Sequence, residues 1–247
     1  MTGADRTEAL RAIRSHIATH GQHLYLVQGG EVPRYAYTIG LLNSVGFELV
    51  LAGATTFDAE EVALVLNGVA AACKREGADL AQPLVLDGLA SLGAFTLQEV
   101  HPTWVAELML GAIDHHGRAD VRTLQVVPDA EHWTLDIPDL SEPWDPDAEP
   151  AWAGLRQPWT QAFPPDAVAT TNLDALRGER VTEAARWESD QWELFAGPGP
   201  DVTPDQVRMV PLATLLAIDA TLQPVVQLDV GRALWRDDQG GDWQAWG

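Results

Sequence analysis

The stretch FELVLAGATTFDAEEVALVLNGVAAACKREG, residues 47–77, decides the fold class. FELVLAG (47–53) reads as a strand: a short apolar run that closes on a glycine. Asp58 and Glu61 then form a capping box, and Val62, Val65, Leu66, Val69 and Cys73 make one helical stripe that Gly77 ends. A strand feeding a helix is the start of a βα unit, so the question is whether the unit repeats.

It does not. Upstream, QHLYLVQ (22–28) and RYAYTI (34–39) read as two strands around the turn Gly29–Pro33, with no helix between them. They follow a helix that starts at an Asp5–Glu8 capping box, carries Leu10, Ile13 and Ile17, and stops at Gly21. Downstream, strands at 94–100 and 121–127 enclose a helix entered at Pro102, with Trp104, Val105, Leu108 and Ala112 at helical intervals. Strands and helices mingle without alternation. The expected class is α+β: a mixed, mainly antiparallel sheet with helices packed on it, followed by a smaller α+β C-terminal part.

Charge marks the division. The chain has 247 residues and a net charge of -21. Residues 1–128 account for -6 of it and residues 129–247 for -15. Nine of the ten tryptophans follow residue 129, and eight of the sixteen prolines fall within 128–165. The expected organisation is an α+β domain at 1–128, a Pro/Trp-rich connecting segment at 129–165, and a smaller acidic α+β domain at 166–247. Trp133, Trp144, Trp152 and Trp159 read either as rings that lay the connecting segment along a domain surface in extended conformation, because each gains by leaving water, or as exposed rings that form a partner site. In the last part, WELFAG (192–197), VRMVP (207–211), PVVQLDV (224–230) and RALWRD (232–237) read as strands. LATLLAI (212–218) reads as a helix, and Gly197-Pro198-Gly199-Pro200 as a rigid loop.

Composition excludes several functions. Nucleic-acid backbones and anionic membranes call for clustered Lys and Arg, which this acidic chain lacks. One cysteine, Cys73, allows no internal disulfide. No signal-peptide pattern or membrane-length apolar run is present, so the expected location is the cytoplasm. Phosphate-cradling glycine motifs, a nucleophile elbow and an EF-hand loop are all missing, so no cofactor and no reaction are assigned. Cys73 sits on an apolar stripe and reads as a core thiol.

Two sets of residues remain as candidate sites. His16, His20 and His23 are spaced so that the first two share a helix face, but no HExxH or accompanying carboxylate completes a metal site, and none is assigned. Tyr37-Thr38-Ile39-Gly40-Leu41 and Leu124–Asp129 read either as two core strands with their exits or as the walls of a polar pocket. In the second reading Tyr37, Thr38 and Gln125, with His20 and His23, bind a small ligand. The acidic second half points instead to a protein partner, basic in character, met by Trp187, Trp192, Phe195 and Trp235.

Taken in order, His20-Gly21, Tyr37–Leu41, Glu48-Leu49, Leu66-Asn67 and Leu124–Asp129 resemble the bacterial family catalogued as domain of unknown function 4262, over about residues 8–136. The family has no established reaction, so the resemblance implies no catalytic residue. Residues 168–246 resemble small bacterial immunity-type modules through Arg186, Asp190, Trp192, Phe195, Gly197, Val207, Val210, Leu212, Gly231, Arg236 and Trp243. That resemblance implies protein binding, with a toxin as one class of partner, in place of catalysis. The leading expectation is therefore a protein-binding, immunity-like module. The alternative is a small-ligand binder or enzyme with a pocket in the first domain.

Overall fold

The computed structural model describes residues 3–77, 79, 81–197, 202–237 and 241–246. Helix α1 (Gly3–His20) ends at Gly21, which takes a left-handed φ of +82° and donates its N–H to Ile17 O. The Asp5 side chain of the expected capping box lies outside the described residues. Strands β1 (His23–Val27) and β2 (Tyr35–Ile39) follow, then a short helix α2 (Leu42–Val45) and strand β3 (Glu48–Ala52). Helix α3 (Ala59–Glu76) has the expected box: Asp58 accepts from the N–H groups of Glu60 and Glu61, and Glu61 accepts from Asp58 N–H.

After β4 (Leu84–Val85) and β5 (Ala94–Glu99), the helix expected from Pro102 is two helices, α4 (Pro102–Leu108) and α5 (Leu110–His116). They part at Met109, next to Gly111, whose N–H donates to Tyr37 Oη at 3.0 Å. Strand β6 (Thr123–Pro128) completes a six-stranded sheet of order β1-β2-β3-β6-β5-β4, antiparallel except for β3–β6.

Both faces of this sheet are covered at its central strands, β2, β3 and β6. On one, Leu49, Leu51, Leu124 and Val126 pack with the α3 stripe. On the other, Tyr35, Tyr37, Ile39, Val50 and Ala52 pack with Ile13, Trp104, Leu108 and Trp152. Trp152 comes from the Pro/Trp-rich segment. It is fully buried and donates Nε1–H to Asp136 O at 2.9 Å. The segment is therefore not an extended strip. It winds through a 3-10 turn at Pro150–Leu155, and Leu140, Ala151 and Trp152 close the second face. An indole buried with its N–H bonded supplies the reason: the ring gains its full apolar area at no polar cost.

The second sheet holds β7 (Val168–Asn172), β8 (Val181–Glu188) and β9 (Gln191–Ala196), with α6 (Leu173–Leu176) between the first two. Strand β10 (Val207–Pro211), helix α7 (Leu212–Ile218), and strands β11 (Arg232–Trp235) and β12 (Gln244–Ala245) follow. Its order is β10-β7-β9-β8-β11-β12, antiparallel except for β7–β9. The sequence reading left β7 and β8 unassigned. VTEAARWE has the residues of a helix, and it is a strand because β9 and β11 pair with it on both sides.

PVVQLDV, expected as a strand, is corrected. Residues Ala220–Gln227 form a 3-10 segment capped by Asp219, and Leu222, Val225 and Val226 bury at helical spacing. The expected loop residues Pro198, Gly199 and Pro200 lie outside the described residues. With α6 and α7, the 3-10 segment covers one face of the second sheet, over Trp192, Leu194 and Val210. The two sheets meet through Arg208 of β10, which donates to the carbonyls of Thr55 (2.9 Å) and Thr56 (2.7 Å).

Candidate functional site

The strings Tyr37–Leu41 and Glu48-Leu49 build one structure, a buried carboxylate cradle. Gly40 turns the chain at φ +97°, so that the N–H groups of Gly40, Leu41 and Leu42 face Glu48 at 2.7, 3.2 and 3.1 Å. Thr38 donates its hydroxyl to Glu48 Oε2 at 2.6 Å and accepts Leu49 N–H at 2.8 Å. His116 Nε2 closes the shell, 2.8 Å from Oε1. The Glu48 side chain is wholly buried. A carboxylate that accepts so many bonds fixes the turn between β2 and α2. It has no lone pair left over for a substrate.

Tyr37, Thr38 and Gln125 are not brought into one pocket. Successive strand residues point to opposite faces, so Tyr37 and Thr38 diverge. Val50 of β3 pairs with both Tyr37 and Gln125 and stands between them. Gln125 is buried and bridges to Pro138 O at 2.8 Å and Leu140 N at 3.2 Å, which ties the Pro/Trp-rich segment to the sheet. Tyr37 Oη takes the Gly111 N–H, and burial pushes its phenol well above the ordinary range. Burial likewise pushes neighbouring Tyr35 up to about 12. All three polar side chains are structural struts.

His20 and His23 do come together. With His16, Gln22, Asn67 and Lys74 they line a groove of about 530 Å³ between α1, β1 and α3. Lys74 Nζ donates to Gln22 Oε1 (2.8 Å), and Gln22 Nε2 donates to Asn67 Oδ1 (2.9 Å). His16 and His23 meet Nδ1 to Nδ1 at 3.3 Å, and the His16 and His20 rings are 4.3 Å apart. Burial, then the charge of His16, holds the His23 imidazole below its ordinary range. Among the described residues, no group of three His, Cys, Asp or Glu is placed to hold a metal ion. Gln22, Asn67 and Lys74 escaped the sequence reading because nothing in the spacing of α3 relative to β1 announces the groove.

Of the four aromatic residues expected at a partner face, three are accessible and one is not. Trp192 is buried in the second core against Phe163, with the Arg186 guanidinium stacked 4.4 Å from its ring. Its role is corrected to packing: β9 alternates, and Trp192 falls on the covered side. The open side carries the others. The register sets Phe195, Glu183 and Trp235 in one row across β9, β8 and β11, and Glu193, Ala185 and Ala233 in the next. The small alanines leave a cavity of about 630 Å³ walled by Phe195, Trp187 and Trp246, with Glu183 and Glu193 at its margin. Trp187 and Trp246 are about half exposed. Trp235 lines an adjoining cavity of about 720 Å³ that shares Trp246 and Glu183. Trp246 was not expected here; it arrives because β12 pairs with β11 and Trp246 N–H bonds Ala233 O.

Among the described residues, no helix is long and apolar enough to cross a membrane. The family model described as domain of unknown function (DUF4262) matches residues 16–135. No curated protein and no solved structure matches the chain. The strings that carry the resemblance to this family are split between two places: Thr38, Gly40, Leu41 and Glu48 make the cradle, while His20 and Asn67 reach the groove.

Proposed function

We propose that this chain, whose residues 16–135 belong to the DUF4262 family, works by binding a basic segment of a partner protein on the open face of its second sheet. One observation carries the reading: Trp187, Phe195 and Trp246 stand around a floor of alanines, with Glu183 and Glu193 beside them. Large rings left half in water are the anchors that interfaces use. Rings beside carboxylates suit the stem and head of Lys or Arg, which combine an apolar chain with a cation. The -15 charge of residues 129–247 adds long-range attraction for such a partner. The resemblance of residues 168–246 to immunity-type modules supports a basic toxin as the partner class, met in the cytoplasm.

A defined peptide tests this. A Lys/Arg-rich peptide, titrated into the full chain at low and moderate salt, is expected to bind saturably, and more weakly as salt screens the attraction. An acidic peptide of equal length is expected not to bind. Phe195→Ala combined with Glu193→Gln is expected to abolish binding. Equal binding of the two peptides, or none at low salt, overturns the reading.

A further inference from the structure

The groove between α1, β1 and α3 is a separate matter from the partner face. The chain has one lysine and seven histidines among 247 residues. That lysine and three of those histidines line this one groove, and among the described residues no carboxylate lines it. In a chain of net charge -21, such a gathering is unusual. The helix ends account for part of it. His20 closes α1 and Lys74 lies in the last turn of α3, where backbone carbonyls favour cations. They do not account for His16 and His23, which face each other Nδ1 to Nδ1.

The groove also has more donors than acceptors. Lys74 uses one of its three N–H bonds on Gln22, and Gln22 uses its amide on Asn67 Oδ1, which leaves the Asn67 amide N–H bonds over. Doubly protonated, each imidazole presents two donors. The titratable groups that face the groove are His16 and His20 from α1, His23 from β1 and Lys74 from α3, with the Tyr25 ring 6.4 Å from His23.

We propose that this groove binds a phosphate-type oxyanion, free or as the terminal group of an ester. Lys74 and Asn67 donate to its oxygens, and His16, His20 and His23 take up protons as it enters. Protonation without an anion sets imidazolium charges against one another and against Lys74, so anion binding and proton uptake are coupled. An imidazole whose pKa rises by about one unit on binding gives about a tenfold gain in affinity between its neutral and charged forms.

Sulfate is the first probe, because its charge stays fixed while the histidines titrate. Calorimetry on the full chain at constant ionic strength is expected to show sulfate binding about tenfold tighter at about pH 6 than at about pH 8. The His23 imidazole resonances are expected to titrate at higher pH when sulfate is present. Lys74→Met is expected to weaken binding at both pH values, and the His16→Gln, His20→Gln, His23→Gln triple variant to remove the pH dependence; all four side chains are at the surface or half-buried. Inorganic phosphate and glycerol phosphate distinguish the sources. Equal affinity assigns the free ion, and tighter binding of the ester assigns an esterified ligand. Sulfate binding no stronger than chloride, or unchanged in Lys74→Met, overturns the proposal. So does one equivalent of Zn²⁺ shifting the histidine resonances where sulfate does not, since the groove is then a metal site.

Discussion

The two sheets share a strand count and a single parallel pair, yet they are solvated differently. The first is covered on both faces at its centre, where every residue of β2 and β3 is buried. The second is covered on one face, and β9 alternates between buried and more exposed positions. Covered strands read as apolar runs and half-covered strands as alternations. The same contrast assigns meaning to polar residues. In the first sheet Thr38, Glu48 and Gln125 are buried, so each must find a partner inside the protein, and each does. In the second, Glu183 and Glu193 sit on the face that water reaches. Polar residues within the covered strands therefore mark struts, whereas those on the open face need no such partner inside the protein.

The largest expected effect tests the strut side of this contrast. Glu48→Ala removes the acceptor for three backbone N–H groups, the Thr38 hydroxyl and His116. A stability loss of about 3–5 kcal/mol in urea unfolding is expected. A loss below about 1 kcal/mol would show that water or a rearranged turn satisfies those donors, and the cradle would lose its structural role.

The second sheet has a comparable charged strut beside it. Arg236, nearly buried, donates to Val181 O, Thr221 Oγ1 and Asp219 and stacks on Trp243. Arg236→Ala is expected to cost about 3 kcal/mol, because Asp219 and the Val181 carbonyl lose their partner. The surface pair Arg122–Glu99, half exposed on both sides, serves as the control; Arg122→Ala is expected to cost less than about 1 kcal/mol. Equal costs would mean that burial does not set the value of these ion pairs.

Much of this was legible from residues alone. The α3 box and stripe, strands β1 to β3, β5 and β6, and the α+β class all follow from periodicity and punctuation. Strand β8 did not, because its Ala, Glu and Arg residues take strand geometry only from β9 and β11. Nor did the 3-10 segment after Asp219, where Val225-Val226 looks like a strand until Asp219 is seen to cap it. Of the site residues, single side chains were legible and their grouping was not. Tyr37 and Thr38 are neighbours in sequence and face opposite ways, whereas His23 and Lys74 are 51 positions apart and share a groove.

A smaller, pH-dependent effect belongs to the ground between the sheets. Asp136 is fully buried and accepts the Thr55 hydroxyl at 2.5 Å, next to the carbonyl that Arg208 reaches. Burial pushes its carboxyl up, against the pull of Thr134, Thr55 and Arg34. The folded state then holds a proton that the unfolded state releases. Stability falls as pH rises from the ordinary aspartate range through the raised value. Asp136→Asn carries no such proton, so its stability relative to the parent is expected to improve as pH rises above the ordinary aspartate range. A difference that does not change with pH would place the Asp136 carboxyl in the ordinary range.

The smallest expected effect on stability is also the sharpest test of the open face. Trp187 is half exposed and lies outside the second core, so Trp187→Ala removes little packing. Its stability change is expected to stay within about 0.5 kcal/mol, as for surface substitutions in general. Its effect on the basic peptide is expected to be far larger, a loss of about 2 kcal/mol or roughly thirtyfold in affinity, if the ring is an anchor. Trp192→Ala is expected to do the reverse, unfolding the second core by about 3–5 kcal/mol, because its ring is the one on the covered side. If both tryptophans cost the same stability, the second sheet is not one-sided, and the argument that its outer face is kept free for a partner fails with it.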